Sequence, residues 1–139
     1  MLERTLFASV LLLFTAHVSS QELLDADVAF RSTARLIKPG LIEIRYETAP
    51  GYYLYRDRLA FSVEPEPAAL GKPRLPRGKV KQDEFFGKSV IYRNKTVVLI
   101  PLSAGGKPVK LTADLQGCAD IGVCYPPVRR TYALSPPDK

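Results

Sequence analysis

The sequence has very little of the chemistry that most enzymes use. It contains no tryptophan, one histidine (His17), one methionine (Met1) and two cysteines. His17 and Met1 both lie in the N-terminal apolar segment, so the chain beyond residue 20 has no imidazole. That excludes a Ser-His-Asp or Cys-His catalytic site. Two thiolates without histidine or methionine are also too few soft ligands for zinc or copper, and we expect neither a metal nor a cofactor.

The N-terminal segment has the pattern of a secretory signal peptide. Arg4 precedes an apolar run over residues 5–16, and the small residues that follow, up to Ser20, suit cleavage before Gln21. The run is short for a transmembrane span, and no second one follows it. We therefore expect residues 1–20 to be a signal peptide. The rest is then an exported domain that does not insert into the membrane, in a compartment where disulfides persist.

The formal net charge of +6 raises the question of nucleic acid or an anionic membrane as a partner. The basic residues are scattered along the sequence, and no helix or single strand concentrates them. An exported protein also meets little nucleic acid. We interpret the charge as a solvated surface and expect no nucleic-acid partner.

Short strands dominate the pattern of the chain after the signal peptide. Residues 41–48 alternate strictly, with Ile42, Ile44 and Tyr46 on one face, and Pro-Gly turn signals bound the segment. No stretch of twelve residues has a helical apolar period. Short strands at this spacing, with twelve prolines and nine glycines, predict an all-β fold, an antiparallel β-sandwich of immunoglobulin-like type. Further extended segments are expected at 52–63, 89–92, 96–102, 109–115 and 128–134, with a loop at 71–79 and a hairpin joining 89–92 to 96–102.

The two cysteines, Cys118 and Cys124, lie six positions apart around a turn that contains Gly122. The strand pattern places them on opposite strands of a hairpin, where facing Cα atoms lie within disulfide reach. A bridge that closes so short a loop constrains little unfolded-chain entropy and is a weak stabiliser. Most disulfides of exported proteins are nevertheless structural, and this spacing is not the Cys-x-x-Cys of a thioredoxin site. Spacing alone leaves both a structural and a redox role open.

The local sequence resembles a known redox motif. Residues 116–127 read Gln-Gly-Cys-Ala-Asp-Ile-Gly-Val-Cys-Tyr-Pro-Pro. They closely resemble the motif of the N-terminal periplasmic domain of DsbD, the thiol:disulfide interchange protein of Gram-negative bacteria. Two further segments agree in the same order: residues 51–56 resemble that domain's tyrosine-rich strand, and residues 83–93 resemble its cap loop and following strand. The resemblance covers residues 21–134 and implies the same immunoglobulin-like sandwich.

The resemblance also implies roles for individual residues. In that family the second cysteine forms the mixed disulfide with partners, which assigns this step to Cys124 and the resolving step to Cys118. Tyr53 and Tyr55 match polar positions around the cysteines, and strand alternation places them on one face with Tyr52 opposite. The segment matching the cap loop, which covers the sulfurs in the resting domain and has Phe85 at its centre, comprises Asp83, Glu84, Phe85, Phe86 and Gly87.

The chain departs from the family pattern at two points. Phe86 stands where a tyrosine is common in relatives, and ordinary core packing is an equal alternative to a cap role for its ring. The full family proteins continue into a membrane-embedded electron carrier and a C-terminal thioredoxin-like domain, whereas residues 135–139 form a Pro-rich tail or the start of a linker. A stand-alone protein and a domain of a longer protein are both compatible with this.

As a whole, the resemblance implies a periplasmic protein-disulfide reductase module that depends on a separate reductant. Its upstream partner would be a thioredoxin-like domain of the DsbD C-terminal type. Its downstream partners would be oxidised thioredoxin-fold proteins, namely disulfide isomerases or cytochrome c maturation factors. Because acidic residues surround the cysteines and no imidazole is present, we expect slow, shielded thiols. The alternative is a β-sandwich binding or assembly module with a purely structural disulfide.

Overall fold

The computed structural model describes residue 16 and residues 22–137, so the predicted signal peptide lies outside the described residues except for Ala16. The described chain consists mainly of antiparallel strands, as predicted. None of its helices is long and apolar enough to cross a membrane. In chain order the elements are α1 (Ala26–Ala29), β1 (Phe30–Lys38), β2 (Leu41–Thr48), β3 (Tyr52–Tyr55), a 3₁₀ turn (Arg56–Arg58), β4 (Ala60–Glu64), β5 (Ala69–Leu70), β6 (Lys79–Asp83), β7 (Gly87–Tyr92), β8 (Lys95–Ser103), β9 (Val109–Leu115), β10 (Gly117–Ala119), β11 (Val123–Cys124) and β12 (Val128–Leu134).

Within residues 22–137 the strands form three antiparallel sheets around a main apolar core. Their strand orders are β1-β2-β8-β5, β11-β10-β3-β7-β6 and β12-β9-β4. Each sheet contributes fully buried side chains to the same cluster, among them Ile44, Leu54 and Leu111. The predicted antiparallel sandwich of immunoglobulin-like type is confirmed.

The alternating pattern of β2 predicts its buried face correctly. All three predicted core positions of this strand are almost completely buried, namely Ile42, Ile44 and Tyr46. Glu43, on the opposite face of the alternation, is also buried, and Arg35 and Arg45 both donate to its Oε1 atom, at 3.2 and 2.6 Å. The two ion pairs compensate the carboxylate for the hydration that it loses on burial.

The predicted hairpin between residues 89–92 and 96–102 is wrong. β7 pairs with β3 and β6, whereas β8 pairs with β2 and β5 of a different sheet. The chain changes sheets at Asn94, which has a φ of 58°. A corner between packed sheets uses the same polar, left-handed residues as a tight hairpin turn, so the local sequence does not separate the two.

The predicted loop at 71–79 gives way to β6 at Lys79, and β6 forms a hairpin with β7. The turn of this hairpin is residues 84–86, between the facing residues Asp83 and Gly87. Gly87 has a φ of 66°, a conformation that glycine adopts without steric cost. The segment expected to form a cap is therefore the tip of a hairpin in the sheet that carries the cysteines.

Candidate functional site

Cys118 and Cys124 face each other on β10 and β11 and form a disulfide, which confirms the predicted hairpin. The ladder between these strands has only two residue pairs, Cys118 with Cys124 and Ala119 with Val123. Cys118 is 0% exposed, whereas Cys124 is partly exposed. Cys124 is therefore the more accessible of the two cysteines.

Strand β3 supplies the floor beneath the disulfide. It pairs with β10, with Tyr53 opposite Cys118, and Tyr53 and Tyr55 share the disulfide face while Tyr52 points into the main core, as predicted. The Tyr55 Oη atom lies 3.2 Å from Cys118 Sγ and 3.9 Å from Cys124 Sγ. Both tyrosines are buried and their rings meet edge to face, with centroids 5.5 Å apart. The Tyr55 hydroxyl thus lies beside both sulfurs, in a buried cluster that also contains Ile91.

Asp83, at the end of β6, joins this floor to the hairpin tip. Its Oδ2 atom accepts hydrogen bonds from the hydroxyls of Tyr53, at 2.9 Å, and Tyr55. Its Oδ1 atom accepts the backbone amides of Phe85 and Phe86, at 3.0 and 2.9 Å. One carboxylate therefore orients both phenols and holds the tip in place.

The ionisation states around the disulfide follow from these contacts. Burial opposes ionisation of the Asp83 carboxyl, but its hydrogen bonds together outweigh burial and hold its pKa below the usual value. Burial, and then the hydrogen bond to Asp83, raise the pKa of the Tyr55 hydroxyl far above its usual value. Burial is also the main reason that the pKa of Tyr53 is raised. Near neutral pH an anionic carboxylate and two protonated phenols therefore surround the sulfurs.

The two phenylalanines of the tip occupy different environments. The Phe86 ring meets the Tyr55 ring edge to face, with centroids 4.7 Å apart, and the Arg58 guanidinium lies 4.3 Å from its centroid. Phe85 is 42% exposed and, within residues 22–137, makes no ring–ring or cation–ring contact. Glu84 and Gly87 are exposed at the same tip. Phe86 is thus the ring that touches the residue lying against the sulfurs.

Arg93, which the sequence did not identify as a site residue, fixes the turn after Cys118. Its guanidinium binds both carboxylate oxygens of Asp120, at 3.0 and 2.8 Å, and lies 5.2 Å from the centroid of the Tyr53 ring. This pairing is the main reason that the pKa of Asp120 is lowered. The Asp120 amide also donates to the Gly51 carbonyl, at 2.8 Å. The turn of the disulfide hairpin is therefore tied to the residue before β3 and to the residue after β7.

Metal ligation finds no support in the described part of the chain. Within it, no group of three or more His, Cys, Asp or Glu side chains is placed to hold an ion. In the described residues the site combines the disulfide with the Tyr53 and Tyr55 phenols, the Asp83 carboxylate and the Arg93–Asp120 ion pair.

The sequence matches a known protein family. A family model described as "Thiol:disulfide interchange protein DsbD, N-terminal" matches residues 20–136. Thiol:disulfide interchange protein DsbD 1 of Pseudomonas aeruginosa is 41% identical over 112 residues, which cover 80% of this chain and 19% of that protein. DsbD of Ralstonia nicotianae is 37% identical over 119 residues, covering 85% and 20%. The chain thus spans about a fifth of the length of these curated relatives.

Solved structures agree with the sequence matches. The reduced form of the DsbD N-terminal domain from Neisseria meningitidis has a TM-score of 0.76 and 36% identity, covering 81% of this chain and 90% of that one. The complex of the DsbD N-terminal and PilB N-terminal domains from the same organism gives a TM-score of 0.70 and 34% identity, covering 81% and 87%. Because the family match extends over nearly all of the described residues, the chain belongs to the family of the N-terminal domain of the thiol:disulfide interchange protein DsbD.

Proposed function

We propose that this domain passes two electrons from a thioredoxin-like reductant to oxidised partner proteins through the Cys118–Cys124 pair. The observation that carries the proposal is the asymmetry of the disulfide, in which a buried Cys118 faces a partly exposed Cys124. Such a pair can present one sulfur to a partner while the other stays buried until it attacks the mixed disulfide. A bridge across so short a separation also adds little stability, which leaves redox chemistry as the better explanation.

The exchange consists of two balanced displacements. The Cys124 thiolate attacks one sulfur of the partner disulfide, forms a mixed disulfide and displaces the partner's other sulfur as a thiolate. The Cys118 thiolate then attacks the Cys124 sulfur, which releases the partner as a dithiol and leaves the domain oxidised. An upstream dithiol reverses both steps and restores the reduced pair.

The surroundings of the sulfurs favour the thiol over the thiolate. In the reduced pair the Cys118 thiol can donate to the Tyr55 oxygen, which lies 3.2 Å away in the oxidised form. The anionic Asp83 carboxylate on the far side of that phenol disfavours a second negative charge. Without an imidazole or a helix N-terminus at the site, the thiols stay slow until a partner supplies a more favourable environment. Slow thiols suit a reductant in an oxidising compartment.

The partners that we propose are thioredoxin-fold proteins of the periplasm. A domain of the DsbD C-terminal type would act upstream, and a disulfide isomerase or a cytochrome c maturation thioredoxin downstream. The solved complex of a DsbD N-terminal domain with the PilB N-terminal domain supports recognition of protein partners by this fold. The signal-peptide pattern of residues 1–20 supports the periplasmic location.

A direct electron-transfer assay tests the function. The reduced domain is mixed with an oxidised disulfide isomerase, and thiols on both proteins are counted by alkylation and gel shift. We expect one dithiol to appear on the isomerase for each one lost from the domain. A Cys118→Ala, Cys124→Ala double variant should fold normally and transfer no electrons.

The structural-disulfide alternative predicts a different result for the same variant. It expects the double variant to be clearly less stable and to keep its partner binding. The proposal fails if the wild-type domain, reduced and folded, transfers no electrons to any oxidised thioredoxin-fold protein tested.

The cap assignment of Phe85 gives a second prediction. Phe85→Ala should leave the sandwich intact, because the ring lies at an exposed hairpin tip. If the ring shields the reduced thiols, its removal should speed their reaction with small oxidants several-fold. Exchange with a partner should change less, because the partner has to displace the ring in any case. Stopped-flow oxidation of the reduced domain measures the first rate, and the isomerase assay measures the second.

Phe86→Ala is the matched control for Phe85→Ala. It removes the edge-to-face contact with Tyr55 and the Arg58 cation–ring contact, each of which contributes about 0.5–1.5 kcal/mol. We therefore expect Phe86→Ala to lower the free energy of unfolding more than Phe85→Ala does. Unfolding by Phe85→Ala, with thiol reactivity per folded molecule unchanged, would make Phe85 a packing residue instead of a cap.

A further inference from the structure

The strand that carries Cys124 is too short to hold itself in place. β11 has two residues, and its ladder with β10 has two residue pairs. A pair of strands this short has little stability of its own in water. While the disulfide is closed it supplies the missing constraint, but on reduction that constraint is lost. Contacts outside the disulfide must then determine where Cys124 lies.

Tyr125, the residue after Cys124, supplies such contacts through its backbone. Its amide donates to the Gly117 carbonyl, at 3.0 Å, and its carbonyl accepts from the Gln116 side-chain amide, at 3.2 Å. Gln116 and Gly117 are the two residues before Cys118 in the sequence. These two hydrogen bonds close the base of the hairpin and involve no sulfur atom, so reduction does not remove them.

The side chain of Tyr125 anchors the same point to the body of the domain. Its ring meets the fully buried Phe30 ring edge to face, with centroids 5.3 Å apart, and lies 6.1 Å from the Tyr52 ring. Its hydroxyl donates to the Leu24 carbonyl, and the Leu24 amide donates to the Tyr52 hydroxyl, at 2.9 Å. Burial and the neighbouring Tyr52 hydroxyl raise the pKa of Tyr125 to about 12, so the phenol remains a donor near neutral pH. The N-terminal segment (residues 22–25) is thereby tied to the residue beside Cys124.

We propose that Tyr125 is a positioning residue that lowers the reduction potential of the Cys118–Cys124 pair, because it keeps Cys124 opposite Cys118 when the disulfide is open. This inference rests on the redox function proposed above. Two thiols held in facing positions have a high effective concentration toward each other, which favours closure of the disulfide. If the contacts of the Tyr125 side chain are removed, Cys124 gains conformational freedom in the dithiol form that it does not gain in the disulfide form. The equilibrium between disulfide and dithiol then shifts toward the dithiol.

The equilibrium with glutathione measures this effect. Two molecules of reduced glutathione open the disulfide, giving the dithiol form of the domain and one molecule of oxidised glutathione. We expect the equilibrium constant for oxidation of the domain to fall about threefold in Tyr125→Phe, which keeps the ring but not the hydroxyl. In Tyr125→Leu, which loses both, we expect a fall of about tenfold, equivalent to roughly 30 mV.

Tyr132→Phe is the control for loss of a hydroxyl. The Tyr132 hydroxyl lies 2.5 Å from Ser32 Oγ, away from the disulfide hairpin, and its removal should leave the glutathione equilibrium unchanged. Thermal unfolding of the oxidised proteins shows whether each variant is folded, and Tyr125→Phe decides the matter if Tyr125→Leu does not fold. The inference is overturned if Tyr125→Phe is less stable to heat but keeps the wild-type equilibrium constant, or if Tyr132→Phe shifts that constant equally. A wild-type disulfide that glutathione never opens would contradict the redox function itself, and the inference with it.

Discussion

Cys118→Ala is expected to leave a partner protein covalently bound to Cys124. The variant keeps the partly exposed Cys124, to which the proposed function assigns the attack on a partner, and loses the buried Cys118, to which it assigns the partner's release. With no second thiolate to attack the Cys124 sulfur, the mixed disulfide should persist and catalytic turnover should stop completely. Expression of the variant, rapid acid quenching with alkylation and non-reducing electrophoresis would show the adduct, and mass spectrometry would identify the partner.

Cys124→Ala is the matched control for this trap, since it keeps only the buried sulfur. It should form little or no mixed disulfide under the same conditions, although it loses turnover to the same extent. Equal trapping by the two variants would show that either sulfur can be attacked, and the assignment of Cys124 as the partner-binding cysteine would then be wrong. If both variants fold and neither traps a thioredoxin-fold protein, the structural-disulfide alternative gains support.

Gly117→Ala should have the largest effect on stability of any single methyl addition near the site. A Cβ atom at Gly117 would lie 2.6 Å from Cε1 and Cζ of the Phe30 ring and would also press against the Tyr53 carbonyl oxygen. Phe30 is completely buried and its ring already meets the Tyr52 and Tyr125 rings edge to face, so any movement of the ring disturbs these contacts. Overpacking of this kind costs about 1–3 kcal/mol, and the backbone contact places the substitution at the upper end. Urea unfolding of the oxidised protein measures the loss.

Gly122→Ala separates the need for space from the need for a special backbone conformation. Gly122 lies in the same hairpin, has a φ of 97°, and a Cβ atom there would meet nothing within 4 Å. We expect it to cost roughly 1–2 kcal/mol through backbone strain alone. If Gly117→Ala proves no more destabilising than Gly122→Ala, the packing of Phe30 against β10 is looser than the geometry indicates.

The parts of the fold that the sequence predicts are those with a local cause. Strict alternation identifies β2 and its core face, because the two sides of a strand meet different environments. The same reasoning separates Tyr52 from Tyr53 and Tyr55 in β3, and turn chemistry between Cys118 and Cys124 predicts their hairpin.

The parts that the sequence does not predict depend on residues far apart in the chain. Arg93 and Asp120 are separated by 27 positions, and no local pattern indicates that they meet. The change of sheet at Asn94 is decided by which strands β7 and β8 find as partners, which the turn residues do not specify. The different surroundings of Phe85 and Phe86 depend on the rotation of the hairpin tip, which two consecutive aromatic residues do not reveal.

Strand β11 forms one edge of the five-stranded sheet and is two residues long. After Tyr125 the chain continues with Pro126 and Pro127, which have no backbone N–H to donate. An incoming chain therefore finds no backbone donor at Pro126 or Pro127 with which to extend this edge of the sheet beyond Tyr125. Ile121 and Val123, 56% and 38% exposed, present an apolar rim there. In the proposed function, recognition through these side chains lets partners that share a shape around their own disulfide, without sharing any strand sequence, use the same domain.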